Sequence, residues 1–496
     1  MNNFIYLFNI IRTRELSRTF SVYTLGKGVG LFLYIFLLPL FTKKLPVAEF
    51  GVIGLLWLLT PVLTRVINLG MDVGISLKFF KEKHQVLSQT LYNGLFTIIF
   101  VAVLIWSFGC VQIGWIQFIV DKTVTREIFT LLVISCLFSS YTTLMCAFLQ
   151  NAGKATFNVI MTILPQLIIV GLTYYFVLYV EASYSSYIWG MALGNLITGL
   201  FALAFFFKNY SVRYFRFSLP ILRNLLRIGL PVLPGTIGGI ILASGDRYMI
   251  KYFLGLEAVA VYTFGYRFAS QLAEGLFQPF QKALWPVIFK RAAQSNTGGR
   301  AYNIKIINNI LLIFSIIIAG AVIPMRDIMA IMGSHTYVAA YPVFIVSLIG
   351  IFIYTVSQAE SYSLIFIERT ELTAATVICG AGINIFLNYI LIPKYGILAA
   401  AFTTVLSYIV MLVTRNYISL LFFRQKNLLQ LMLRIISLAG YIFMIYIIDH
   451  YIKCVVTSYF IKLIVFVGFL FLICFSFKDL QEFFRTVVKD KISTED

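Results

Sequence analysis

LFLYIFLLPLFTKKLPVAEFGVIGLLWLLTPVLTRVINLGMDVGISLKFF, residues 31 to 80, decides the fold. Two apolar runs flank a short polar turn, Thr42 to Ala48. Each run, if helical, spans a hydrocarbon core about 30 Å thick. The second carries Arg65 deep inside it, with Gly70 and Asp72 at its far end. Working outward, apolar runs of similar length recur along the chain. Hydrophobic residues make up 60% of the 496 and charged residues 12%, against about 45–50% and about 25% in soluble proteins. This is the composition of an all-α, polytopic membrane protein. Six scattered cysteines form no CxxC pair, and three scattered histidines form no metal spacing; the cysteines read as small apolar fillers. The polar, basic lead-in before the first span argues against a cleavable signal.

About fourteen spans are predicted, near 20–41, 50–70, 92–113, 128–149, 157–179, 187–207, 228–250, 258–280, 304–323, 339–366, 372–392, 397–414, 435–452 and 457–477. The net charge of +19 would suit a nucleic-acid binder. Its distribution argues otherwise, because Lys and Arg gather in alternate connections: Arg12, Arg14 and Arg18, Lys81 and Lys83, Lys208 to Arg227, Lys282 to Lys305, and Arg424 to Arg434. That alternation is the positive-inside pattern and predicts both termini in the cytoplasm. Anionic lipid headgroups satisfy the excess charge, so no nucleic-acid partner is expected.

The expected organisation is a cytoplasmic interfacial lead-in (1–19), a six-helix lobe (20–207), a basic linker (208–227), a second six-helix lobe (228–414), a basic linker (415–434), helices 13 and 14 (435–477) and a charged tail (478–496). Leu45 to Val52, LPVAEFGV, answers Leu254 to Val261, LGLEAVAV, at an offset of 209 residues. An even number of spans per half gives both halves the same orientation, which predicts parallel repeats about an axis along the membrane normal. Pro231, Pro234 and Gly235 open the seventh span and predict a kink or hinge there.

Two stretches carry a family resemblance. Leu38 to Ile75, LPLFTKKLPVAEFGVIGLLWLLTPVLTRVINLGMDVGI, resembles the opening of the polysaccharide-biosynthesis oligosaccharide flippases of the multidrug/oligosaccharidyl-lipid/polysaccharide exporter superfamily. Tyr389 to Val410, YILIPKYGILAAAFTTVLSYIV, is similar to that family's late Leu-Ile-Pro-x-x-Gly segment, with Leu398-Ala399 where relatives often carry a second glycine. The resemblance implies two lobes around a central cavity and alternating access. It implies an undecaprenyl-pyrophosphate-linked oligosaccharide as substrate, moved between leaflets of the bacterial inner membrane, and a polysaccharide polymerase and chain-length regulator as partners. It identifies a transporter, not an enzyme, and no cofactor beyond coupling to H+ or Na+. A multidrug antiporter and a membrane-embedded polymerase are the alternatives. The second predicts a long outer loop with catalytic groups, whereas the longest here, Gly114 to Glu127 and Pro324 to Val338, hold about fourteen residues.

Charges at membrane depth are costly, by about 3 kcal/mol on insertion scales, and face cavities or partners. Arg267 falls near the midplane; Lys27 and Arg65 lie in the inner half. Together they suggest a cationic cavity wall for a pyrophosphate, which a guanidinium fork suits. Glu274, two turns after Arg267, reads as an ion-pair partner or a protonatable coupling group. Asp246 and Arg247, adjacent and so expected on different faces, read as interfacial. Asp72 and Glu360 lie near inner helix ends as solvated, ion-pairing or coupling groups. Tyr141, Tyr262, Tyr266 and Tyr354 are candidates to stack on sugars.

Overall fold

The computed structural model describes residues 28–30, 33, 36–79, 84–209, 217–272, 275, 311–366, 370–423, 428–452 and 454–476. Among these the structure is helical and contains no strand. Eleven helices are long and apolar enough to cross a membrane, and the bent pair Leu311–Val322 and Met325–Met332, 55° apart, makes a twelfth. The expected first and eighth spans run into residues outside the described set, as do Lys27 and Glu274.

Helix α1 (36–44) stops at Leu45-Pro46, and α2 (Val47–Asn68) starts at once. The predicted seven-residue turn is therefore two residues long. Pro46 is extended, at φ −53° and ψ 145°, and its missing N–H suits a helix start. Helix α2 ends where Leu69 and Gly70 both take left-handed conformations, φ 51° and 70°. The chain turns there and re-enters a helix as α3 (Met71–Lys78). A Cβ on Gly70 would lie 2.5 Å from the carbonyl oxygen of Gly229, so two backbones touch at this break.

Next come α4 (His84–Val111), α5 (Ile113–Ile119), α6 (Arg126–Asn151), α7 (Ala155–Tyr179) and α8 (Tyr184–Asn209). The connection expected as a plain loop before α6 holds the short α5, and the Thr125 side chain caps α6 by accepting from the Ile128 N–H at 3.3 Å. Helices α2, α4, α6, α7 and α8 pack on one another as a first bundle. The second half opens with α9 (Leu219–Gly229), a 3-10 turn (Leu230–Val232) and α10 (Leu233–Ser244). Pro231 and Pro234 thus tighten one turn within a continuous span, Leu219–Ser244, instead of breaking it. Gly235 sits under Ala374 of the eleventh span. After Gly245 the chain continues as α11 (Asp246–Leu254) and α12 (256–272), then α13 (Leu311–Val322), α14 (Met325–Met332), α15 (Ala340–Phe366), α16 (Thr370–Tyr395) and α17 (Ile397–Phe423). Helix α17 outruns its predicted end by nine residues, because the apolar pattern continues past Arg415.

The last helices, α18 (Leu428–Tyr451) and α19 (Val455–Ser476), pack on each other, and α18 packs on α15. A buried ion pair pins them to the second bundle. Lys462 Nζ lies 2.6 Å from Asp449 Oδ1, with 1% and 3% of these side chains exposed. Lys462 also donates to the carbonyl of Ile323 at 3.0 Å, and the Tyr341 hydroxyl donates to Asp449 Oδ2 at 2.6 Å. Arg326 approaches the same carboxylate at 3.9 Å, and Tyr459 donates to Asp327 at 2.7 Å. Large apolar side chains such as Phe460, Leu463, Val467 and Phe471 stay outward on α19, as lipid contact requires.

Candidate functional site between the bundles

The two bundles meet through α2 and α12, and the contact changes character along both helices. From Phe50 to Leu56, α2 is buried. A Cβ on Gly51 would overlap the carbonyl oxygen of Leu256, and one on Gly54 would lie 2.5 Å from Thr263 Oγ1. The absence of side chains at these two positions lets the helices close. Four hydrogen bonds from three donors cross the same end of the molecule. Thr42 donates to the carbonyl of Met332 at 2.7 Å, and Tyr248 to that of Leu55 at 3.3 Å. Lys251 donates to those of Phe118 at 2.7 Å and Ile119 at 3.2 Å, the C-terminus of α5, where a cation is favoured. Phe50 and Tyr337 complete this seal, ring centroids 5.9 Å apart.

The seal ends at Trp57 and Arg267. Trp57 is the first partly exposed residue after the buried run Phe50 to Leu56 on α2, and Arg267 is the first after the buried run Val259 to Tyr266 on α12. The Arg267 guanidinium lies 4.3 Å from the Trp57 ring centroid. The Trp57 indole N–H donates to the Tyr187 hydroxyl at 2.8 Å, which fixes the ring plane. Beyond buried Leu58, α2 is partly or fully exposed from Leu59 to Val66. Arg267 therefore roofs the partly exposed stretch of α2 next to the seal.

At the opposite end Arg65 pairs with Asp72, Nη1 to Oδ2 at 2.9 Å. The left-handed pair Leu69-Gly70 folds α3 back so that these side chains meet. Asn68 supports the turn: its carbonyl oxygen accepts the Asp72 N–H at 3.4 Å and its amide donates to the Ser140 carbonyl at 3.2 Å. Arg65 keeps about a third of its side chain exposed. The expected free cation is thus a neutralised pair, and Asp72 is an ion-pair partner instead of a solvated group.

Asp246 and Arg247 depart most from expectation. Both are buried, 0% and 1% exposed, and they converge. The break at Gly245 places them in the first turn of a new helix. Arg247 Nη1 lies 3.6 Å from Asp246 Oδ1, and Arg247 Nε donates to Thr263 at 3.3 Å. The guanidinium lies 4.7 Å from the Tyr266 ring, and the Tyr262 hydroxyl donates to Asp246 Oδ2. Tyr262 thus serves the carboxylate and presents no face to a ligand. Thr404 lies near Asp246 and accepts from Asn384 at 3.2 Å; Asn384 in turn accepts from Asn388 at 2.9 Å, and Thr403 donates to Asn388. One carboxylate and several neutral oxygens from three helices form a buried polar core, and Asp246 Oδ1 makes no hydrogen bond.

A third buried cation, Arg415 on α17, is 0% exposed. It donates to Thr376 of α16 at 3.0 Å, and to the Ser357 carbonyl and Gln358 Oε1 of α15, both at 3.0 Å. Glu360, expected near an inner helix end as a solvated, ion-pairing or coupling group, is half-buried, with Asn416 nearby. Sequence reading missed Arg415 by ending its span one residue early. It did not single out Lys462 and Asp449, each a lone charge in an apolar run; their opposite signs in two neighbouring spans were the available signal. Asn384 and Asn388, one helical turn apart, share a face that polarity alone did not single out.

The described residues thus form two helical bundles of a membrane protein with charges between and within them. Over residues 16–292 the chain matches the polysaccharide biosynthesis protein family, and it belongs to that family. Its fold resembles that of the lipid II flippase MurJ in an inward closed conformation, at TM-score 0.70 and 12% identity, covering 93% of this chain and 99% of that one. It also resembles an inward-facing multidrug resistance MATE family transporter of the MOP superfamily, at TM-score 0.65 and 14% identity, covering 84% and 96%. A MOP superfamily transporter from Pyrococcus furiosus, described as having a binding pocket of reverse polarity, aligns at TM-score 0.62 and 14% identity over 85% and 96%. An uncharacterized membrane protein of Methanocaldococcus jannaschii, MJ1068, is 28% identical over 314 residues, 60% of this chain. The match spans 59% of that relative's length.

Proposed function

We propose that this protein moves an undecaprenyl-pyrophosphate-linked oligosaccharide repeat unit from the cytoplasmic to the outer leaflet by alternating access. It would serve surface polysaccharide assembly, such as O-antigen, capsule or exopolysaccharide, in the inner membrane with both termini cytoplasmic. The polymerase and the chain-length regulator would receive its product. The observation that carries this reading is Arg267, a half-buried guanidinium at the roof of the space between the bundles. A cation there suits a diphosphate headgroup. Arg65 enters the same reading as a trading partner: the diphosphate would displace Asp72 from it.

Deleting the gene in its own host tests the reading. Loss of surface polysaccharide, with single repeat units held on the cytoplasmic leaflet, is the expected result. Units on the outer leaflet would indicate a polymerase, and unchanged polymer with altered drug sensitivity would indicate an antiporter. In complementation, Arg267→Ala and Arg65→Ala are each expected to abolish the polymer while the protein still inserts. Normal polymer from both would remove the cationic route.

Coupling is assigned to Asp246, whose one carboxylate amid Thr403, Thr404, Asn384 and Asn388 suits H+ or a monovalent hard cation such as Na+. Arg247 is the competing internal cation. Ligands that bind the folded state raise its unfolding midpoint. NaCl is expected to do so relative to choline chloride for the wild type and not for Asp246→Asn. Equal midpoints in the two salts for the wild type would assign coupling to the proton.

A further inference from the structure

The roof pair has a geometry that a binding cation alone does not require. Arg267 belongs to the second bundle and spreads its guanidinium over Trp57, a ring of the first. Trp57 is held in plane by Tyr187 and packed edge-on against Phe50 and Tyr187. This contact is therefore a link between α2 and α12 that borders the glycine contacts at Gly51 and Gly54. Both residues are partly exposed, so a ligand rising between the bundles meets them before the seal. A guanidinium over an aromatic face is held weakly compared with one forked onto phosphate oxygens.

We propose that Trp57 and Arg267 form an anion-released latch. A diphosphate group reaching the roof draws Arg267 off the Trp57 ring, removes the contact that borders the seal, and so favours parting of the sealed end when substrate is present. The uncovered indole face then lies beside the diphosphate, where a sugar ring can stack. Trp57 is thus a positioning residue that makes opening conditional on the ligand. The inference rests on the transport reading of Arg267 and adds the conformational consequence.

The test uses the full-length protein in lipid nanodiscs, with Trp106, Trp115, Trp189 and Trp285 changed to Phe so that Trp57 reports alone. Titration with undecaprenyl pyrophosphate is expected to give a saturable change in Trp57 emission as the guanidinium leaves and water enters. Inorganic pyrophosphate producing the same change would show that the free anion suffices. A change with the lipid alone would show that the latch reads a membrane-borne headgroup. Neutral undecaprenol is expected to do nothing, and an equal response to it would overturn the proposal. Arg267→Gln is expected to start at the released emission and lose the response, while Arg267→Lys keeps a weaker one. Silent Trp57 emission together with polymer loss in Arg267→Ala would sink the latch and leave the flippase reading standing. A clear emission change with normal polymer in Arg267→Ala would do the reverse.

Discussion

Lys462→Ala is expected to lower the stability of the folded protein by about 3–5 kcal/mol, the cost of leaving one member of a buried ion pair alone. Asp449 is 3% exposed and would keep only the Tyr341 hydroxyl and the more distant Arg326. The Ile323 carbonyl would lose its ammonium donor as well. Because the pair joins α18 and α19 to the bent α13–α14 segment, the loss should fall on the docking of the last two helices. Thermal unfolding in nanodiscs measures the size of the effect, and limited proteolysis between α17 and α18 measures its place. The double change Lys462→Met with Asp449→Asn is expected to recover most of the loss, since an uncharged pair of similar volume leaves no buried charge unpaired. A single variant as stable as the wild type would mean that Arg326 alone suffices as counter-ion.

Gly51→Leu is expected to abolish transport by preventing closure of the Thr42 end. Even a Cβ at this position overlaps the Leu256 carbonyl, which is main chain and cannot swing aside. The two bundles must then stay apart along α2 and α12. In a background without native cysteines, Thr263→Cys is buried and is expected to resist a membrane-impermeant maleimide. With Gly51→Leu added it should label from the side that is sealed in the parent. Gly440→Leu is the control, because nothing lies within 4 Å of a Cβ there. Equal labelling with and without the Gly51 change would show that the contact is not part of the moving interface.

Much of this architecture was legible in the chain. Runs such as Val47–Asn68 and Ile397–Phe423 are apolar for longer than a membrane is thick, and the bilayer permits little besides a helix there. The break at Leu69-Gly70 was readable only in part. Gly70 signalled it, but a left-handed leucine has no sequence mark. The site was less legible, because span arithmetic places a charge by depth and not by face. It put Arg65 at a depth where an anion could meet it, and could not see that α3 folds Asp72 back onto it. It read adjacent Asp246 and Arg247 as diverging on one continuous helix. The break at Gly245 starts a new helix there and lets their side chains meet. Arg267 was placed near the midplane by counting, but its position over Trp57 depends on how two helices from different halves cross.

The hydrogen bonds that close the Thr42 end share one trait: Thr42, Tyr248 and Lys251 each donate to a main-chain carbonyl of the opposite half. Recognition is therefore written on one partner only. The acceptors at Met332, Leu55 and Phe118 are supplied by any residue that keeps the backbone path. Through descent, the receiving side is free to drift in identity without loosening the closure, while the three donors are not. An interface so built tolerates divergence between the two halves of the molecule, and leaves the residues between them free to change without loosening the closure.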